Sequence, residues 1–197
     1  MPESDPPGFD ANLRLYAQMK PDGASLAHLV SLQGVLPSGG RLVPRRQLHG
    51  TLIHFGKVRD VYWVIREETG ISRAAYESLL GGYIARTEAL LPSSSSFRLE
   101  PAGLAGFGAR GSTLVVEYQP TAELTTLHGQ LFTVLVDFLT ACGVSDTAAF
   151  MAADPNFMFA STLRPHITLA RGYSGPLPAL RLEPVRLIPM PVVYPGH

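Results

Sequence analysis

Leu48-His49-Gly50-Thr51-Leu52 and Pro165-His166-Ile167-Thr168-Leu169 are the two stretches on which the reading of this chain turns. Each is a His-x-Thr followed by Leu. Side chains alternate between the two faces of a β-strand, so a His and a Thr two residues apart project from the same side. Leu52 in the first stretch, and Ile167 and Leu169 in the second, then point the other way, into a core. Each stretch therefore presents one imidazole and one hydroxyl together. Two such strands facing each other would gather two imidazoles and two hydroxyls around one small cleft. A single His-x-Thr says little in a chain with 6 His. Two copies, both closed by Leu and both set in strand-like apolar sequence, say much more.

The segments around the motifs repeat a plan. Leu13, Leu15 and Ala17 alternate with Arg14, Tyr16 and Gln18, which predicts a half-buried strand. Pro21-Asp22-Gly23 turns the chain into a helix with Leu26, Leu29, Val30 and Val35 inward, stopping before Pro37-Ser38-Gly39-Gly40. The first motif strand follows from about Leu48 to Phe55. Val58, Val61, Tyr62 and Ile65 then take helical spacing up to Gly70. A second helix starts after the N-cap Ser72, with Ala75, Tyr76, Leu79, Leu80, Tyr83 and Ile84 on its apolar face. Pro92 and Ser93 to Ser96 connect the halves. In the second half, Phe97 to Leu104 and Ser112 to Tyr118 read as strands. Thr121 caps a long helix that closes near Gly143. The stretch 143–164 is less regular, the second motif strand comes next, and Arg181 to Met190 closes the chain as a strand. Strand–helix–motif strand thus occurs twice.

Composition bounds the rest. The 197 residues, with 46% hydrophobic and 16% charged, suit one large domain or two small lobes with a real core. The formal net charge is zero. That argues against a long nucleic-acid groove, whose affinity would come from neutralising many phosphates. The single cysteine, Cys142, allows no intrachain disulfide and no Cys-based metal site. Residues 1–10 are acidic and Pro-rich, unlike a signal peptide. The apolar run Leu131 to Cys142 is too short to span a bilayer and carries Asp137. A cytoplasmic monomer without membrane contact is expected.

At these residues the chain resembles the 2H phosphoesterase superfamily, which includes the bacterial 2′-5′ RNA ligase / RNA 2′,3′-cyclic phosphodiesterase proteins. Besides the paired motifs, Leu13-Arg14-Leu15-Tyr16-Ala17 is similar to that family's first strand, and Leu48 to Gly56 to its first motif strand. His166 to Arg171, HITLAR, is similar to its second motif with the Arg that often follows. The resemblance covers most of residues 12–190. It implies a LigT-like α+β fold: bilobal and pseudo-symmetric, with two antiparallel sheets facing a central cleft and helices outside. The halves would span about 12–92 and 97–190 of a single domain, after a tail at 1–11.

The activity the resemblance implies is metal-independent hydrolysis of 2′,3′-cyclic phosphate or 2′-5′ phosphodiester bonds, with 2′-5′ ligation as its reverse. The partners would be RNA termini or small cyclic or 2′-5′ linked nucleotides, with no cofactor. Opening a cyclic phosphate needs a base for water and an acid for the departing ribose oxygen. Imidazole serves in either role at neutral pH. His49 and His166 would flank the phosphate, and Thr51 and Thr168 would donate to its non-bridging oxygens. Which His is base and which acid stays open, since a pseudo-symmetric site swaps the roles between cleavage and ligation.

Arg171 is the added phosphate contact by resemblance. Strict alternation turns it away from His166, so the strand must end or bulge before it. Phe55 and Tyr173 are candidates to stack on a base. Alternation also puts His54 on the face opposite His49. That weakens a metal-hydrolase reading built on His49, His54 and His166. His28 and His128 read as structural or surface residues. Arg45 and Arg46 lie at the cleft's rim or are ordinary solvated charges. Gly50 departs from the family, where a bulky apolar residue is usual, and glycine in a strand marks a bulge or a close backbone approach. A binding module holding a nucleotide or RNA end without turnover is the alternative function. Two titrating groups and two hydroxyls favour the enzyme.

Overall fold

The computed structural model describes residues 13–37, 39–91, 96–190 and 193–194. The tail expected over residues 1–11 and nearly all of the Ser-rich connection between the halves lie outside these. The chain runs β1 (Arg14–Pro21), α1 (Gly23–Gly34), β2 (Arg41–Leu42), β3 (Gly50–Lys57), α2 (Val58–Thr69) and α3 (Arg73–Leu90). It continues through β4 (Phe97–Leu99), β5 (Pro101–Phe107), β6 (Thr113–Tyr118), α4 (Ala122–Ala141), α5 (Thr147–Ala153), β7 (His166–Arg171), β8 (Val185–Pro189) and β9 (Val193–Tyr194). None of the described helices is long and apolar enough to cross a membrane.

The helices begin and end where local chemistry dictates. Asp22, Ser72, Thr121 and Asp146 each accept a backbone N–H three residues on, at 2.8, 3.3, 3.2 and 2.9 Å. These contacts satisfy donors that have no partner within the helix. Gly70 stops α2 in the left-handed conformation, at φ 69°, which costs glycine nothing. Gly81 and Gly82 leave α3 unbroken. The stretch read as irregular after Gly143 contains the seven-residue α5.

All pairings are antiparallel, in the order β4-β8-β1-β3-β7-β6-β5, with β2 beside β7 and β9 beside β1. The expected α+β architecture is there, and the two antiparallel sheets are the arms of one hydrogen-bonded sheet. The arms β4-β8-β1-β3 and β7-β6-β5 meet at one register pair, Gly50 opposite Ile167. The motif strands thus lie side by side. The stretch from Phe97 to Leu104, read as one strand, divides at Glu100: β4 pairs with β8 in one arm and β5 with β6 in the other. The closing strand β8 lies against β1, in the arm that holds the first motif.

One continuous core fills the space between the sheet and the helices. It joins Leu15, Ala17 and Met19 of β1 and Ile53 and Phe55 of β3 to Val61 and Ile65 of α2, Tyr76 and Tyr83 of α3, and Leu131, Leu135 and Phe138 of α4. The even-numbered side chains of β1 face the other way. That second face carries the motifs.

Gly50 sits at the junction of the arms. A Cβ there would stand 3.3 Å from Leu187 Cδ1, 3.7 Å from Met19 Cε and 3.7 Å from the His166 carbonyl. Leu187 and Met19 thus fill the space into which a bulky residue at this position would project. The space that glycine leaves at this position is taken up by core side chains from β8 and β1.

Candidate active site

The pair Gly50–Ile167 fixes what surrounds it. Both residues turn toward the core, where Ile167 is fully buried. Extending the antiparallel register by one residue each way sets His49 beside Thr168 and Thr51 beside His166. Two imidazoles and two hydroxyls therefore share one face where the arms meet, each His next to the Thr of the other motif. All four are half-buried. Neither threonine hydroxyl has a protein partner among the described residues.

The two imidazoles are anchored alike. His49 Nδ1 lies 2.6 Å from the carbonyl of Gln47, and His166 Nδ1 lies 2.7 Å from the carbonyl of Arg164. Each carbonyl belongs to the residue two places earlier. A carbonyl only accepts, so Nδ1 carries the hydrogen and Nε2 is left to give or take a proton. Burial pushes the His49 pKa below its ordinary value. The Gln47 carbonyl opposes this, while the charges of Lys20, His166 and Arg171 reinforce it.

Arg171 reaches this face through a bulge. Val115 pairs with Thr168, but the next partners are Leu114 and Ala170, so Leu169 is an extra residue in β7. Thr113, Val115 and Glu117 alternate on one face of β6, opposite Arg171, Thr168 and His166. The carbonyl of Leu169 is nevertheless satisfied: it accepts from Val43 N at 2.9 Å and from Gln33 Nε2 at 2.8 Å. Gln33, itself buried, ties α1 to the bulge.

His54 requires a correction. In β3 the partners step from Ala17–Ile53 to Gln18–Thr51, so Leu52 is an extra residue; Phe55 is a second. Thr51, His54 and Lys57 consequently oppose Gln18, Tyr16 and Arg14, the even positions of β1. His54 shares the face of Thr51. Its ring lies 4.9 Å from that of Tyr16, and its Nδ1 is 3.4 Å from the carbonyl of Asn156. Even so, no three His, Cys, Asp or Glu side chains among the described residues are grouped so that they could hold a metal ion.

Two aromatic candidates are also corrected. Phe55 is fully buried, with ring centroids of Tyr83, Phe138 and Phe157 at 5.1, 5.6 and 5.8 Å. Tyr173 is buried against Leu114 and Ala170, and its hydroxyl donates to the Pro176 carbonyl at 2.8 Å. Neither presents a ring to a ligand. His128 is buried in α4 and away from the motif face, as a structural residue would be.

Lys20 was missed. Met19 opposes Gly50, so Lys20, one residue further along β1, comes beside His49. Its ammonium donates to the Arg46 carbonyl at 2.8 Å, and burial lowers its pKa. No carboxylate pairs with it among the described residues. The signal was present, because Lys20 continues the outward series Arg14, Tyr16, Gln18.

The chain is similar in fold to solved structures. Its fold is similar to that of TT0787 of Thermus thermophilus. The two are 22% identical, with a TM-score of 0.55, and the match covers 93% of this chain and 84% of TT0787. Less similar are E. coli LigT complexed with 3′-AMP, at 21% identity and TM-score 0.44 over 87% of this chain and 77% of that one, and a structure described as a phosphoesterase. The latter is 17% identical, with a TM-score of 0.48 over 93% of this chain and 98% of the other. No protein-family model matches the chain, and no curated protein matches its sequence. The likeness to TT0787 is one of fold.

Proposed function

We propose that this chain is a metal-independent phosphodiesterase acting on 2′,3′-cyclic phosphate or 2′-5′ phosphodiester bonds at RNA ends or in small nucleotides, with His49 and His166 as its acid–base pair. The observation that carries the reading is the common face at the arm junction: two imidazoles, both anchored through Nδ1, each beside a threonine hydroxyl with no protein partner among the described residues. In hydrolysis one Nε2 takes a proton from water as its oxygen attacks phosphorus. The other protonates the ribose oxygen that departs on the opposite side. Thr51 and Thr168 donate to the non-bridging oxygens, and Lys20 and Arg171 supply positive charge for the anion. When a 5′-hydroxyl attacks the cyclic phosphate in place of water, one Nε2 takes its proton, the other protonates the departing 3′-oxygen, and the product is a 2′-5′ phosphodiester.

His49 is assigned the base in hydrolysis. Burial and the neighbouring cations lower its pKa and so favour the neutral imidazole, the form a base needs to accept a proton. The acidic limb of the pH profile of kcat/KM is then expected below about pH 6.5, the ordinary imidazole value. Lys20→Met removes one of the charges that hold this pKa down, so the limb should move to higher pH. A profile whose acidic limb stays put, or whose alkaline limb moves instead, would remove His49 from the base role.

The direct test is a small substrate panel: a 2′,3′-cyclic mononucleotide, an RNA oligomer ending in a cyclic phosphate, and a 2′-5′ dinucleotide, each with and without EDTA. At least one should be hydrolysed to a single monophosphate isomer, at a rate EDTA does not change. Activity abolished by chelation and restored by zinc or magnesium would end the metal-free mechanism. Binding of all three without turnover would leave a binding module.

A further inference from the structure

His166 has neighbours that the acid–base chemistry does not use. Glu117 is directly opposite it in the β6–β7 ladder. The Arg164 side chain pairs with the Glu117 carboxylate. The Arg164 guanidinium also stands over the ring of Phe107, 4.1 Å from its centroid. Phe107, the last residue of β5, in turn places its ring 4.7 Å from the imidazole of His166, with the planes inclined at 55°. The backbone carbonyl of Arg164 is the acceptor for His166 Nδ1. One arginine thus touches His166 twice, directly through its carbonyl and indirectly through Phe107.

These contacts close a loop: Glu117 holds Arg164, Arg164 covers Phe107, Phe107 abuts the imidazole, and the imidazole hydrogen-bonds back to Arg164. The Arg164 side chain is 60% exposed, so its place is set by these partners and not by enclosure. The first motif has no such loop among the described residues. His49 is flanked by Lys20 and packed where β1 and β3 meet. The difference suits a more open imidazole that needs support from the side. An imidazole that pivots loses the line between its Nε2 and the reacting oxygen, and small misplacements in such groups are costly.

We propose that Arg164, together with Glu117 and Phe107, is a positioning device for His166. It sets the ring's rotamer and tautomer, and it touches no substrate. This rests on the proposed acid–base role of His166, but it concerns a property of the free protein that can be measured without turnover.

The experiment compares wild type with Arg164→Lys, Glu117→Gln and Phe107→Leu in the full chain. Arg164→Lys keeps the charge but loses the planar group that lies over the ring, and Phe107→Leu keeps apolar bulk but loses the ring itself. Two readouts are taken on protein shown to be folded by its melting curve. In nitrogen-15 spectra of the imidazoles without ligand, wild-type His166 should report one tautomer with hydrogen on Nδ1. Each variant should shift it toward an average of both. On the best cyclic-phosphate substrate, kcat should fall about 5- to 30-fold with KM within twofold. Wild-type spectra and kcat in all three variants would overturn the proposal. So would a lowered melting temperature with the His166 spectrum and kcat unchanged, since that is what a purely structural cluster predicts. If wild type turns over no substrate, the proposed function fails. The spectra then decide the positioning alone: averaging in the variants supports it, and an unchanged single tautomer refutes it.

Discussion

His49→Ala and His166→Ala should each lower kcat on a 2′,3′-cyclic phosphate by about 10²–10⁴, the usual worth of a positioned general acid or base. Both imidazoles present Nε2 from the face where the arms join, and neither is needed by the core, so the variants should remain folded. The double variant should lose much less than the product of the single losses, because a proton relay with one member gone gains little from the other. Thr51→Ala and Thr168→Ala should be milder. Each removes one hydrogen bond to a charged oxygen, worth about 1.5–3 kcal/mol, or roughly 10- to 100-fold. His128→Ala, in α4, is the control and should leave the rate on folded protein near wild type. Wild-type turnover in both motif variants, with activity lost in the control, would place the active site elsewhere.

The motifs were legible because a period of two needs to hold for only three residues to bring His and Thr together. Over His49–Thr51 and His166–Thr168 it does. Beyond that span it fails, and each failure has the same cause. A bulge is a mismatch in residue count between two paired strands, so it cannot be seen in either strand alone. Leu52 is an extra residue relative to β1, and with it His54 crosses to the face of Thr51. Leu169 is extra relative to β6, and with it Arg171 crosses to the face of His166. For Arg171 the family resemblance required such a bulge; nothing required one for His54.

Pairing partners were hidden for a related reason. The alternation through Phe97 to Leu104 cannot tell that β4 belongs beside β8 and β5 beside β6, on either side of Glu100. The short α5 offers too few turns for a helical period to emerge. Glu117, Arg164 and Phe107 are scattered along the chain, and only the ladder of β5, β6 and β7 collects them around His166. Lys20 differs from all of these. It lies in an unbroken alternation and was readable as an outward residue; only its neighbour His49 was not.

Phe55→Ala should lower stability by about 3–5 kcal/mol, the usual cost of emptying a buried aromatic site. The residue lies in the motif strand itself, where the sequence makes it a candidate to stack on a base. Its surroundings dictate otherwise. Phe55 is fully buried, and its ring meets Tyr83 of α3, Phe138 of α4 and Phe157 beyond α5. Two helices and the turn that follows α5 are thereby fastened to the strand that carries His49 and Thr51. With native stabilities commonly about 5–15 kcal/mol, such a loss is a large share of the total. At roughly 2–4 °C per kcal/mol for a domain near this size, the melting temperature should drop by about 6–20 °C. Phe55→Leu should cost less, because it keeps most of the apolar volume. Well below the melting temperature, KM for a cyclic mononucleotide should stay within about threefold of wild type, since the ring that is lost was never in reach of a base. A several-fold or greater rise in KM with unchanged denaturation would mean that Phe55 contacts the substrate after all. The melting curve and KM together separate a residue that packs behind the site from one that lines it.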